Sequence, residues 1–170
     1  MGKILYRITH VFLGIAVNLF LCKYPSYFII CGLFGALGAY IPDIKHAPYR
    51  RGKISHSLII PVITIILTYL TIGFINGLDN YRFVLNIVKH ILYSLSIGWI
   101  THVLSDSLTA QGVYILYPFT NYRLSVFKKL KSNSIIGNLF IMFISTLLIY
   151  FWLVQTSYGK ILENLFEKIK

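Results

Sequence analysis

Long runs of uncharged, apolar sequence constrain this chain more than any other feature. Tyr24–Pro42, Ser57–Leu78 and Ser132–Gly159 contain no ionisable charge, and Phe83–Leu108 is broken only by Lys89, His90, His102 and Asp106. Each is near the ~20 residues a helix needs to cross a bilayer. A shorter run, Ile8–Cys22, is apolar except for His10. Hydrocarbon offers no partner for backbone N–H and C=O groups, so such runs must satisfy them internally, as helices. The expected fold is all-α: a polytopic membrane bundle of about five helices, the first crossing obliquely or lying partly in the interface.

Composition agrees. Apolar residues make up 56% of the 170 and charged residues 12%, against roughly 45–50% and 25% in soluble domains. So few charges could not cover a water-soluble globule of this size, which excludes disorder, a secreted disulfide scaffold and a conventional soluble enzyme. The net charge of +11 fits basic loops held at an anionic leaflet, so anionic lipid headgroups are the expected partners and no nucleic acid is expected. Cys22 and Cys31 lack metal or redox spacing and read as packing residues. Lys3 and Arg7 before an apolar run mimic a signal peptide, but Leu21-Cys22-Lys23-Tyr24 is no small-residue cleavage site, and the segment is expected to remain in place.

With the N-terminus inside, Lys3, Arg7, Lys45, Arg50, Arg51, Lys53, Arg123, Lys128, Lys129 and Lys131 fall on the cytoplasmic side, and Lys23, Arg82, Lys89, Lys160, Lys168 and Lys170 on the other. Ten against six favours that orientation. Residues 1–131 form the expected core of four helices and a basic loop. Residues 132–170 hold the last membrane helix and a tail, Lys160–Lys170, whose Ile161, Leu162, Leu165, Phe166 and Ile169 share one side of an interfacial helix. Gly32, Gly35 and Gly38, three residues apart, form a stripe suited to close helix packing.

Ionisable side chains inside membrane segments are costly, so each requires a reason. His10 lies toward the inner end of the first helix, Asp43 at the inner end of the second, and His56 at the start of the third. His102 and Asp106, four residues apart, share a face at the inner end of the fourth. An up-and-down topology brings all five to one depth. Three imidazoles and two carboxylates suit a divalent metal, zinc, manganese or iron, and the ion would offset the cost of burying the acids. The competing readings are hydrogen-bonded packing for each histidine, a structural His102–Asp106 pair, and an Asp43 that caps a turn. His90 sits toward the opposite end and is left out of the site. His46 and Asp79 read as loop residues, and Glu163 and Glu167 belong to the solvated face of the tail. Arg50 and Arg51, between Asp43 and His56, are placed either to hold an anionic substrate group or to sit against lipid phosphates.

Several segments carry a family resemblance: Thr9-His10, Ile41-Pro42-Asp43-Ile44-Lys45-His46, Arg51-Gly52-Lys53-Ile54-Ser55-His56-Ser57, and the run from Gly98 through His102-Val103-Leu104-Ser105-Asp106 to Thr109. With Gln111-Gly112-Val113 and Leu116-Tyr117-Pro118-Phe119, they resemble the YdjM-like family of metal-dependent hydrolases of the prokaryotic inner membrane, over roughly residues 1–125. The order His, Asp, His, then His-x-x-x-Asp is also similar to zinc-dependent phospholipase C and nuclease P1. That likeness implies His10, Asp43, His56, His102 and Asp106 as ligands, with Asp106 a possible bridge. Lys45 stands where an acidic residue is often found, and no histidine follows His102, so one or two ions are expected instead of three. The expected activity is hydrolysis of a phosphoester, with a membrane lipid as the substrate considered, by metal-activated water at the cytoplasmic face. Asp43 or Asp106 would handle the proton and Arg50 or Arg51 would hold the anion. The rivals are a non-catalytic membrane protein with a structural metal, and a proton-coupled or ion transporter.

Overall fold

The structure is a computed structural model that describes residues 2–44, 52–75 and 82–156. Arg50, Arg51, Lys45, His46, Asp79 and the tail Lys160–Lys170 lie outside the described residues. Five α-helices carry the fold: α1 Gly2–Leu21, α2 Phe28–Tyr40, α3 Ile59–Ile75, α4 Arg82–Ser107 and α5 Ile135–Gln155. Among the described residues the rest of the regular structure is two 3-10 turns, Pro25–Tyr27 and Ile41–Asp43, and one isolated antiparallel bridge between Val113 and Leu124.

The expected spans differ from these helices for local reasons. α1 starts before Ile8 because nothing in the preceding residues breaks a helix, and Lys3 and Arg7 are incorporated into it. The second run is split, since Pro25 opens one 3-10 turn and Pro42 sits inside the other; a proline lacks the N–H that an α-helix would use. α2 is therefore 13 residues, about 20 Å at 1.5 Å per residue. α5 starts at Ile135 because Ser134 caps it, accepting from the Gly137 N–H at 3.3 Å. α4 and α5 are long and apolar enough to cross a membrane; α1, α2 and α3 contain shorter apolar stretches.

α4 is the hub, packing against α1, α2 and α3, while α1 also contacts α2 and α5. Close approach is made by glycine at both crossings. A Cβ built on Gly14 would stand 2.6 Å from the Ala39 Cβ, and one on Gly98 or Gly38 would overlap the carbonyls of Gly35 or Leu95. Gly32 differs from the expected stripe: its added Cβ meets only Leu19 and Ile15 at ordinary contact distances.

Burial is inverted relative to a water-soluble globule. Thr9, Asn18, Ser94, Ser96, Thr101, Ser105, Asn138 and Ser145 are buried, whereas Ile136 is 81% and Phe140 63% exposed. Several of the polar side chains bond back to their own helix, as Asn18 does to the Gly14 carbonyl at 2.8 Å and Ser145 to that of Ile141. On α5 the buried residues are Asn138, Ser145 and Trp152, one every seven, which is a narrow seam.

The segment after α4 folds back over the bundle end. Val126 N–H donates to the Ser107 carbonyl and Ala110 N–H to that of Leu130. Ser57 Oγ donates to the Tyr117 carbonyl at 2.8 Å and Leu58 N–H to that of Ile115. The start of α3 is thereby fastened to the segment that follows α4.

Candidate metal centre

The five residues come from four parts of the chain. His10 is one helical turn after Tyr6 on α1, and Asp43 ends the proline-tightened 3-10 turn beyond α2. His56 lies in the turned stretch before α3, held by its N–H to the Gly52 carbonyl at 3.1 Å. His102 and Asp106 occupy successive turns of α4. They meet in one buried cluster: His10, His56, His102 and Asp106 are at most 2% exposed, and the Asp43 side chain keeps 16%.

Donor atoms of His56, His102 and Asp43 all lie within 4.8 Å of one another. The two Nε2 atoms are 3.4 Å apart, and Asp43 Oδ1 is 3.7 and 3.8 Å from them. Asp106 Oδ2 adds contacts of 3.4 and 3.7 Å to the same nitrogens. Ligands of a tetrahedral ion at about 2.0–2.2 Å stand roughly 3.3–3.6 Å apart; the two 3.4 Å separations fall in that range and the 3.7–3.8 Å ones just beyond it, so a small inward shift brings these atoms onto one cation. His10 Nε2 is 3.3 Å from the other oxygen, Asp106 Oδ1. Asp106 thus has one oxygen on the His56–His102 pair and one on His10.

Second-side contacts decide the tautomers. His102 Nδ1–H donates to the Ala39 carbonyl at 2.7 Å, which can only accept, so the neutral His102 ring offers its Nε2 lone pair to the cluster. Ser105 Oγ–H donates to the His102 carbonyl at 2.9 Å, and its oxygen accepts from His10 Nδ1–H at 2.6 Å. Ser55 Oγ–H donates to the Gly52 carbonyl, and its oxygen accepts from His56 Nδ1–H at 3.0 Å. All three imidazoles turn Nε2 toward two carboxylates, and His10 Nε2 is buried with no hydrogen-bond partner. Acceptors facing acceptors repel unless a cation lies among them, and two carboxylates match a divalent charge. The donor set fits a metal ion.

Sequence reasoning missed the supporting shell. Tyr6 donates its hydroxyl to Asp106 Oδ1 and meets the His10 ring edge-on at 4.3 Å. Its four-residue spacing from His10 was the available signal. Ser55 and Ser105 neighbour ligands in sequence or on a helix, but serine is too common in membrane helices to stand out. Trp99 Nε1–H donates to the Ser55 carbonyl at 2.7 Å, fixing the residue that orients His56. His90 is elsewhere, as expected, stacked on Tyr27 at 4.1 Å.

The sequence matches, over residues 5–166, the model of the family described as YdjM inner membrane protein. No curated protein and no solved structure matches the chain, and the likeness to soluble phospholipase C and nuclease P1 enzymes gains no support.

Proposed function

We propose that this chain, which belongs to the YdjM inner membrane protein family, is a multi-pass hydrolase of a lipid-borne phosphoester. In this reading it holds one or two divalent ions, zinc before manganese or iron, at the cytoplasmic interface. The observation that carries the metal is the convergence of three imidazole Nε2 atoms, each with Nδ1 engaged, on two carboxylates. Bound there, a divalent ion supplies Lewis acidity that brings the pKa of water toward about 7. The chain's own groups do the rest. Asp43, the member of the cluster with solvent access, takes the proton from the attacking water as its oxygen bonds to phosphorus, and the ester P–O bond breaks. Asp106, fully buried and fixed by Tyr6, positions His10, His56 and His102 around it. The leaving alkoxide is protonated from Asp43 or from solvent. Arg50 and Arg51 are the proposed holders of the anion.

A structural metal tying four parts of the chain together is favoured by the complete burial of His102 and Asp106. The transporter reading fares worse: between the site and His90, α2 and α4 close backbone on backbone at Gly35–Gly98 and Gly38–Leu95, which closes the α2–α4 face to a path. The deciding experiment measures metal content of detergent-purified protein and of His102→Ala and Asp106→Asn, alongside phosphate or headgroup release from mixed phospholipids. Stoichiometric metal and hydrolysis, both lost in the variants, support the enzyme. Metal without any hydrolysis leaves the structural tie. A well-folded wild type that refuses zinc and manganese overturns both.

A further inference from the structure

Beside the metal cluster runs a groove of about 740 Å³, within the ~300–1,000 Å³ typical of small-molecule sites. Ile44, Ile54, Ile60, Trp99 and Tyr117 line it, with Lys53 as its one cation among the described residues. Its walls are chain neighbours of the ligands: Pro42 and Ile44 flank Asp43, Ser55 precedes His56, and Trp99 is nearly one turn before His102. Ile44 and Ile54 line it while remaining more than half exposed. The Lys53 ammonium is held in place by Asn121 Oδ1 at 3.2 Å and by the rings of Tyr114 and Tyr117, 5.1 and 5.4 Å away. These partners are neutral, so among the described residues its charge is left for an anion. Arg123, which faces the same Tyr114 ring at 6.0 Å, adds a second cation nearby. An apolar trough ending at a positioned ammonium matches one amphiphile: an acyl chain in the trough and a phosphate on the cation.

We propose that this groove seats an acyl chain of an anionic membrane lipid, with Lys53 on the headgroup phosphate, and so presents that phosphate beside Asp43. Calling the lipid a substrate rests on the hydrolase reading; its binding does not. Trp99 lines the groove and Trp152 is the other tryptophan of the chain, so Trp152→Phe leaves a single reporter. This full-length variant is reconstituted in phosphatidylcholine vesicles, and Trp99 fluorescence is followed as brominated phosphatidylglycerol or brominated phosphatidylcholine replaces the host lipid. Quenching by the brominated phosphatidylglycerol is expected at a mole fraction about fivefold lower, the effect of one well-placed charge. Lys53→Gln is expected to reduce that preference severalfold, the other cations nearby keeping a remainder, and Asp106→Asn to retain it. Equal quenching by both lipids, or a preference unchanged by Lys53→Gln, overturns the proposal. If the preference is present but no anionic lipid is hydrolysed by metal-loaded protein, the groove stands and the hydrolase reading falls.

Discussion

A buried imidazole becomes a metal ligand through what happens at its far nitrogen. Ser105 shows this most directly, because its oxygen accepts a hydrogen bond from His10 Nδ1–H while its hydroxyl donates to the His102 carbonyl. Outer-shell partners of metal-bound histidines are worth about 10–100-fold in affinity. Ser105→Ala should therefore weaken zinc binding by about that factor with the fold intact, as measured by competition with a chromophoric chelator. Tyr6→Phe, removing the hydroxyl from Asp106 Oδ1, should do the same to a smaller extent. Protons compete for the same three lone pairs, so zinc affinity should fall as pH falls, with proton release on binding visible in calorimetry run in two buffers. The five candidate ligands were legible in the sequence because ionisable residues in apolar runs are so few. Their division was not: Asp106 points its two oxygens at different imidazoles, and that depends on rotamers and helix rotation which spacing does not encode.

Helix crossings set the positions of those side chains. α2 and α4 meet where Gly98 faces the Gly35 carbonyl, and α1 meets α2 where Gly14 faces Ala39. Gly98→Ala places a methyl on backbone that cannot rotate away, so it should destabilise by about 1–3 kcal/mol, as overpacking does, and lower metal occupancy by moving His102. Gly32→Ala, whose added methyl finds ordinary contacts, should leave both unchanged. Thermal unfolding in detergent with parallel metal analysis compares the two. The glycine stripe was visible in α2 as a three-residue repeat. Which glycines bear on a neighbour was invisible, because it depends on partners on α1 and α4 far away in sequence. The bounds of α2 were likewise misjudged from apolarity alone, since Pro25 and Pro42 tighten its ends into 3-10 turns without adding charge.

At the scale of the whole molecule, polar groups face inward and apolar side chains outward, the arrangement a hydrocarbon solvent stabilises. The proposed orientation puts the cluster and the basic segment Arg123–Lys131 on the cytoplasmic side. In a protein whose Cys22 and Cys31 are replaced by serine, Lys128→Cys should react with a membrane-impermeant maleimide only in inverted vesicles, and Lys23→Cys only in intact cells. The reverse pattern would turn the site outward. Charge-free run lengths and the scarcity of acids determined, from the sequence alone, that this chain is a helical membrane protein whose candidate metal ligands are a few His and Asp residues. Those properties are local: each follows from what a residue costs in hydrocarbon, wherever its neighbours are. Only the tertiary structure decided that His56 and His102 share Asp43 while His10 takes the second oxygen of Asp106, that serines and the Ala39 carbonyl set the tautomers, and that an apolar groove with Lys53 runs alongside. Those depend on contacts between segments as far apart as Tyr6 and Asp106, and such contacts exist only once glycine-mediated packing has fixed the rotation of each helix.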